Sequence, residues 1–132
     1  MDPIWVPIDA VIDLHAEQIA EHGGGHGLRD RGLLESALAR PQQRLAYNTE
    51  SQTLVSLAAA YAAGLSQNHP FTDGNKRIAF LTMVVFLELN GLSLDAREDD
   101  AFEIFTRLAS GDLAEPALCD WISENLLARD TL

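Results

Sequence analysis

Asn75-Lys76-Arg77-Ile78-Ala79-Phe80-Leu81-Thr82-Met83-Val84-Val85-Phe86-Leu87-Glu88-Leu89, closed by Asn90-Gly91, is the stretch whose reading decides the fold. It is apolar nearly all round, the pattern of an element buried on every side. Val84-Val85-Phe86 alone reads as strand, but a run of this length favours a buried helix, and Asn90-Gly91 is a good C-terminal stop.

The flanking segments carry helical periodicity of their own. Thr49 to Leu65 is rich in Ala and Leu with few charges and predicts a helix. Asp30 is placed to cap another, which carries Leu33, Leu34, Ala37 and Leu38 and is expected to stop at Pro41. Asp9 is a reasonable N-cap for a first helix in which Val11, Ile12, His15 and Ile19 recur at helical spacing. Gly23-Gly24-Gly25-His26-Gly27 breaks that helix, and Pro3 to Ile8 reads as an extended lead-in. On the C-terminal side, Ala101, Phe102, Phe105, Leu108 and Ala109 fall on one side of a fifth helix. Its start holds the acidic Glu98-Asp99-Asp100, where negative charge is favourable. A sixth begins near Pro116 as first helical residue and buries Leu118, Trp121, Ile122 and Leu126. The expectation is an all-α, compact helical bundle of roughly six helices around a central buried helix, forming a single domain over residues 1–132.

Bulk properties narrow the function. The 132 residues are enough to bury a core, and 47% of them are apolar. A formal net charge of −11 argues against broad DNA or RNA binding, which draws its affinity from neutralising phosphates, and against an anionic membrane surface. No basic segment leads into an apolar one at the N-terminus, so no signal peptide is read. Thr82 and Glu88 interrupt the longest apolar run, which is too short and polar for a membrane span. The single Cys119 excludes an internal disulfide framework and a cysteine-based zinc site. A soluble, cytoplasmic protein with no direct nucleic-acid binding is expected.

Chemistry concentrates just before the decisive helix, in His69-Pro70-Phe71-Thr72-Asp73-Gly74-Asn75-Lys76-Arg77, which contains the chain's only lysine. Phosphoryl or nucleotidyl transfer needs a base for the attacking hydroxyl, a divalent metal and cationic or N–H donors for the phosphates. His69 is a candidate base for the hydroxyl proton. Asp73 is a hard oxygen ligand of the kind Mg²⁺ takes alongside substrate phosphates. Gly74 lets the chain bend so that the N–H groups of Gly74, Asn75 and Lys76 can face one anion. Arg77 offers a planar fork and Lys76 a mobile point charge. Asp73-Gly74-Asn75 alone also reads as a plain turn with Asp73 as a cap, and His69 alone as an ordinary histidine. Two cations at a helix N-terminus oppose the dipole, however, which points to an anionic partner.

These residues resemble the signature of the Fic/Doc superfamily, His-x-Phe-x-[Asp/Glu]-[Gly/Ala]-Asn-x-Arg. The match is closest to the Doc (death-on-curing) branch, where a lysine fills the variable slot. Gly23-Gly24 through Gly27-Leu28-Arg29-Asp30, Gly32-Leu33-Leu34-Glu35-Ser36-Ala37-Leu38 and the apolar helix ending at Asn90-Gly91 extend the resemblance from roughly Leu14 to the last helix. It implies transfer from ATP, with Mg²⁺, to a hydroxyl on a protein. His69 would be the general base and Asp73 the Mg²⁺ ligand. Gly74, Asn75, Lys76 and Arg77 would line the phosphate-binding loop, with Phe71 anchoring that loop in the core.

Fic proteins proper transfer AMP and have glycine where Lys76 stands and arginine at the place of Phe80. A lysine there would crowd and recharge the nucleotide pocket. Doc-type proteins with this change are associated with reversed ATP binding and transfer of the γ-phosphate to a threonine of elongation factor Tu, which arrests translation. The resemblance therefore favours a kinase toxin. The alternatives are an AMP transferase and a catalytically inactive binding module. No segment matches the Ser/Thr-x-x-x-Glu-Gly/Asn pattern of an inhibitory helix, so restraint is expected from a separate cognate antitoxin whose disordered tail folds onto the protein.

The remaining candidates have plain readings. His15, His22 and His26 are taken as loop or surface histidines, since no ligand spacing accompanies them. Arg29-Asp30-Arg31 reads either as nucleotide or partner contact or as an exposed capping segment. Cys119, Trp5 and Trp121 read as packing residues, and Glu98-Asp99-Asp100 is assigned no chemistry.

Overall fold

The computed structural model describes residues 1–127. Among them are six α-helices: α1 (Ile8–His22), α2 (Arg31–Tyr47), α3 (Leu54–Asn68), α4 (Asn75–Leu89), α5 (Glu98–Ser110) and α6 (Glu115–Glu124). The expected boundaries of the decisive helix, Asn75 to Leu89, are those observed.

The most deeply buried helix is α3 rather than α4. Every residue from Leu57 to Ser66 is buried, whereas α4 leaves Phe80, Leu81, Val84 and Val85 half-covered and Leu89 exposed. The reason is side-chain size. The Ala58–Ala60 and Ala62–Gly64 runs leave α3 thin enough for α2 and α4 to lie close on it, as interaxial distance follows the side chains at the contact. At Gly64 a Cβ would come within 3.2 Å of the Ala37 carbonyl of α2. The spare apolar surface of α4 lines a cleft instead.

That same close approach explains why α2 runs through Pro41 to Tyr47 instead of stopping there. Proline at 41 removes the hydrogen bond to the carbonyl four residues back. That carbonyl belongs to Ala37 and lies against the bare face of Gly64, so the cost is met at a tightly packed helix contact. Pro41 itself is buried.

Other boundaries also differ from expectation. Pro7, not Asp9, is the N-cap of α1, its carbonyl accepting from the N–H groups of Ala10 and Val11. Residues Thr49–Ser51 form a separate 3₁₀ turn, because Thr53 and Ser56 make a reciprocal capping box that starts α3 afresh at Leu54. Asp30 does cap α2, accepting from Leu33 N–H at 3.0 Å. The last helix starts at Glu115, one residue before Pro116, and Trp121 and Leu126 are half-buried. On α5, Ala101, Phe105 and Leu108 are buried, but Phe102 is 68% exposed.

The extended lead-in is stitched across the bundle. Asn90, at the end of α4, accepts from Ile4 N–H at 2.7 Å and donates to Ile4 carbonyl at 2.9 Å. Val6 N–H donates to the Tyr61 hydroxyl at 3.1 Å, and Trp5 stacks on Phe86 at 5.8 Å. Burial raises the Tyr61 phenol pKa. At the other side, Arg40 and Arg44 both bind the Glu115 carboxylate, tying α2 to α6. Among the described residues, no helix is long and apolar enough to cross a membrane.

Candidate functional site: the loop from His69 to Arg77

Helix α3 ends at Asn68, and its C-cap His69, the only non-glycine residue with positive φ among those described, adopts the left-handed conformation (φ 47°, ψ 56°). The Pro70 that follows disfavours a helical residue before it, so the chain turns sharply here. The turn is held from a distant segment. Arg29 donates to the His69 carbonyl through Nε at 2.9 Å and Nη2 at 2.6 Å, and to the Asn68 carbonyl at 3.2 Å. The N–H groups of Arg29 and Asp30 donate to Pro70 carbonyl, and Thr72 N–H donates to Gly27 carbonyl. Leu28 and Phe71 thus pair as an isolated antiparallel bridge. The His69 side chain is left exposed at the cleft mouth.

The turn itself is fixed by three contacts. Phe71 is buried, and Asn75 grips its backbone at both ends, accepting from Phe71 N–H at 3.0 Å and donating to Phe71 carbonyl at 2.9 Å. Asn75 therefore braces the loop with its side chain. Asp73 is exposed, and its carboxylate accepts from Gly74 N–H at 2.8 Å and from Gly25 N–H at 3.3 Å. Gly24 and Gly25 make room for this. A Cβ on Gly24 (φ +122°) would lie 2.8 Å from Asp73 Oδ2, and one on Gly25 would lie 3.0 Å from Thr72 Cγ2. The third contact comes from α1, where His15 Nε2 meets the Asp73 carbonyl at 2.7 Å.

Gly74 (φ +78°) is the N-cap of α4 and its N–H is taken by Asp73. The N–H groups of Asn75, Lys76 and Arg77, the first of α4, have no acceptor within the helix. The N–H groups left without a helical acceptor thus lie one residue on from the expected Gly74–Lys76 group. The two cations diverge: Lys76 Nζ lies 3.5 Å from Thr106 Oγ1 and 5.1 Å over the Phe102 ring, while Arg77 Nη1 is 3.0 Å from His22 Nε2.

These residues open onto a cleft of about 740 Å³ between the loop, α4 and α5. Its polar end is His69, Thr72 and Asp73 to Arg77; its apolar end is Phe80, Leu81, Ala96, Ala101, Phe102 and Phe105, with Glu98 at the rim. All the residues singled out for chemistry line one cavity. Each Asp73 oxygen accepts one N–H in the structure, which leaves lone pairs on both for a hard cation that keeps waters and shares substrate phosphates. Mg²⁺ fits that donor set. Among the described residues, no three His, Cys, Asp or Glu side chains group as a metal cage.

Sequence reasoning missed His15, Arg29, Gly25 and Phe102. His15 is no surface histidine: it is 4% exposed and stacked on Phe71. Its signal was the register Val11, His15, Ile19, one face at four-residue spacing. Arg29 and Gly25 act through long-range backbone contacts that leave no local trace.

Fold and loop together define an all-α protein in which a tight turn at the start of a helix opens onto a cleft, with a histidine and a carboxylate beside it. The family model described as Fic/DOC family matches residues 5–87. The chain belongs to the Fic/Doc family. It is 30% identical over 112 residues to Protein kinase doc of Escherichia phage P1, covering 85% of this chain and 87% of that one. It is 40% identical over 91 residues to Toxin Doc of Mycolicibacterium smegmatis, covering 64% of this chain and 70% of the relative.

Proposed function

We propose that residues 1–132 form one Fic/Doc-like domain that acts in the cytoplasm as the toxin of a toxin–antitoxin pair. It transfers the γ-phosphate of ATP to a hydroxyl of a translation factor, elongation factor Tu being the candidate, and so arrests translation. The single observation that carries the reading is the convergence of His69, Asp73 and the first N–H groups of α4 on one cleft. The name of the phage relative, a protein kinase, supports the same choice.

In this reading a ring nitrogen of His69 takes the proton of the attacking hydroxyl. A new P–O bond forms to that oxygen as the bond from the γ-phosphorus to the bridging oxygen breaks, and ADP leaves. Asp73 would hold Mg²⁺, which would supply charge neutralisation on the phosphates. The N–H groups of Asn75 to Arg77 and the positive end of α4 receive phosphate oxygens. Lys76 and Arg77 close on the nucleotide from opposite sides of the loop. Restraint comes from a cognate antitoxin, and the net charge of −11 favours a basic or amphipathic segment in it.

AMP transfer has one observation on its side. Lys76 extends to α5, against Thr106 and Phe102, which leaves the turn less crowded than a lysine in the loop implies. A paired labelling assay separates the readings: protein, Mg²⁺ and bacterial lysate receive ATP labelled at the α- or the γ-phosphate, with His69→Ala as control. His69-dependent label from γ-labelled ATP alone is the expected result. Label from α-labelled ATP means nucleotide transfer, and no His69-dependent label from either leaves a binding module.

A further inference from the structure

We propose that His15 is a positioning residue for Asp73, which it holds through the main chain; this rests on the reading of Asp73 as the Mg²⁺ ligand. Asp73 sits on an exposed turn between Thr72, whose N–H donates to the Gly27 carbonyl, and Gly74, whose carbonyl accepts from Ile78 N–H. Its carboxylate is set locally by Gly74 N–H and from across the loop by Gly25 N–H. The first lies within the Asp73–Gly74 peptide itself and the second reaches only the carboxylate, so neither ties that peptide to a helix. His15 does so, from a rigid helix, with Nε2 at 2.7 Å from the Asp73 carbonyl. A carbonyl only accepts, so Nε2 carries the proton and donates.

The ring cannot move to follow the loop. It is 4% exposed and lies flat on Phe71, centroids 3.8 Å apart with an 11° tilt between planes. Phe71 is in turn gripped by Asn75. A Cβ on Gly74 would stand 3.7 Å from His15 Nε2, so the turn passes directly over the ring edge. Its neighbours on the same helix face, Val11 and Ile19, are apolar and buried. A phenylalanine would also stack on Phe71, but its larger ring presents only C–H at the edge facing Asp73. The donor at the ring edge is what packing alone does not require.

Two variants of the full chain divide those roles. His15→Phe keeps the flat ring and loses the donor, while His15→Gln keeps a donor and loses the ring. Amide hydrogen exchange over residues 71–77, without nucleotide, reads the loop directly. The Mg²⁺ concentration giving half-maximal γ-phosphate transfer reads its consequence. For His15→Phe the expected result is loop exchange faster by about tenfold, with α3 unchanged. The half-saturating Mg²⁺ should rise by about tenfold, as when a metal ligand loses the partner that orients it, with a smaller change in kcat. His15→Gln should restore most of both. Wild-type loop exchange in His15→Phe would overturn the proposal. So would a parallel rise in loop and α3 exchange in both variants, which would make His15 an ordinary core residue. A wild-type protein that transfers no label removes the kinase reading alone, because the exchange measurement still decides the role of His15.

Discussion

The Arg29 guanidinium grips the main-chain carbonyl of His69 with two of its nitrogens, across 40 residues of sequence. Charge-assisted bonds of this kind exceed neutral ones, and here they hold a histidine in a backbone region that L residues seldom occupy. Arg29→Lys loses the fork but not the charge. The expected outcome is label transfer lowered by about tenfold and a loss of stability of about 1 kcal/mol, read from labelling rate and urea midpoint. An unchanged rate would mean that Pro70 and its backbone partners hold the turn alone.

Asn75 spends both ends of its amide on Phe71. Asn75→Ala leaves a backbone N–H and carbonyl of a buried residue without these partners, for about 1–3 kcal/mol in stability and loss of transfer. Asn75→Asp retains the acceptor and should lie between. If Asn75→Ala keeps wild-type stability, water replaces the amide and the bracing role is lost.

Gly24→Ala would place a methyl 2.8 Å from Asp73 Oδ2 at a φ of +122°. Transfer should fall by tenfold or so, with half-saturating Mg²⁺ raised. Gly111→Ala is the control, having positive φ (+85°) but open space around the new Cβ. It should cost about 1 kcal/mol of stability and leave transfer intact.

Lys76 rests over Phe102. Lys76→Gly is expected to abolish γ-phosphate transfer, and unchanged kinase activity would sink its assigned role. Phe102→Ala removes the ring while keeping the amine, so kinase activity should survive with a changed KM for ATP. Kinetics with γ-labelled ATP separate the two.

Burial, with Asp120 adding, pushes the Cys119 thiol up, and burial does the same to the Tyr61 phenol. Both are acids held neutral by the fold, so the unfolded chain ionises first. Their contribution is complete below about 8.5, the ordinary cysteine value, and is lost as pH rises past it; Tyr61 follows from about 10. The urea midpoint should therefore be flat near neutrality and decline above about pH 8.5. Cys119→Ala should remove the first part of the decline, and a midpoint rising over that range would contradict the sign.

Much of this fold was legible because periodicity and caps are local signals. Asn75 to Leu89 and the Asp30 cap are examples. The errors have tertiary causes. Pro41 is tolerated because Gly64 lies against the freed carbonyl, and α3 outranks α4 in burial because small residues admit two neighbours. The candidate site was legible as a list of residues, since His69 to Arg77 are contiguous. The division of labour within it was not. Asn75 turns inward to brace, Lys76 and Arg77 diverge, and Arg29 and His15 enter from segments that sequence proximity cannot connect to the loop.

The backbone pairing of Leu28 with Phe71 has a consequence for how the chain matures. Beside its local bonds, from Asn75 to Phe71 and from Gly74 N–H to Asp73, the turn is held by His15, Gly25 and the segment Gly27 to Asp30. Bringing those two segments together requires closing a long loop, whose entropy must be offset by docking of the intervening helices. Until Leu28 and Phe71 pair, the turn between α3 and α4 lacks the bonds that Gly27, Arg29 and Asp30 supply. Competence at this site is thus a property of the finished bundle.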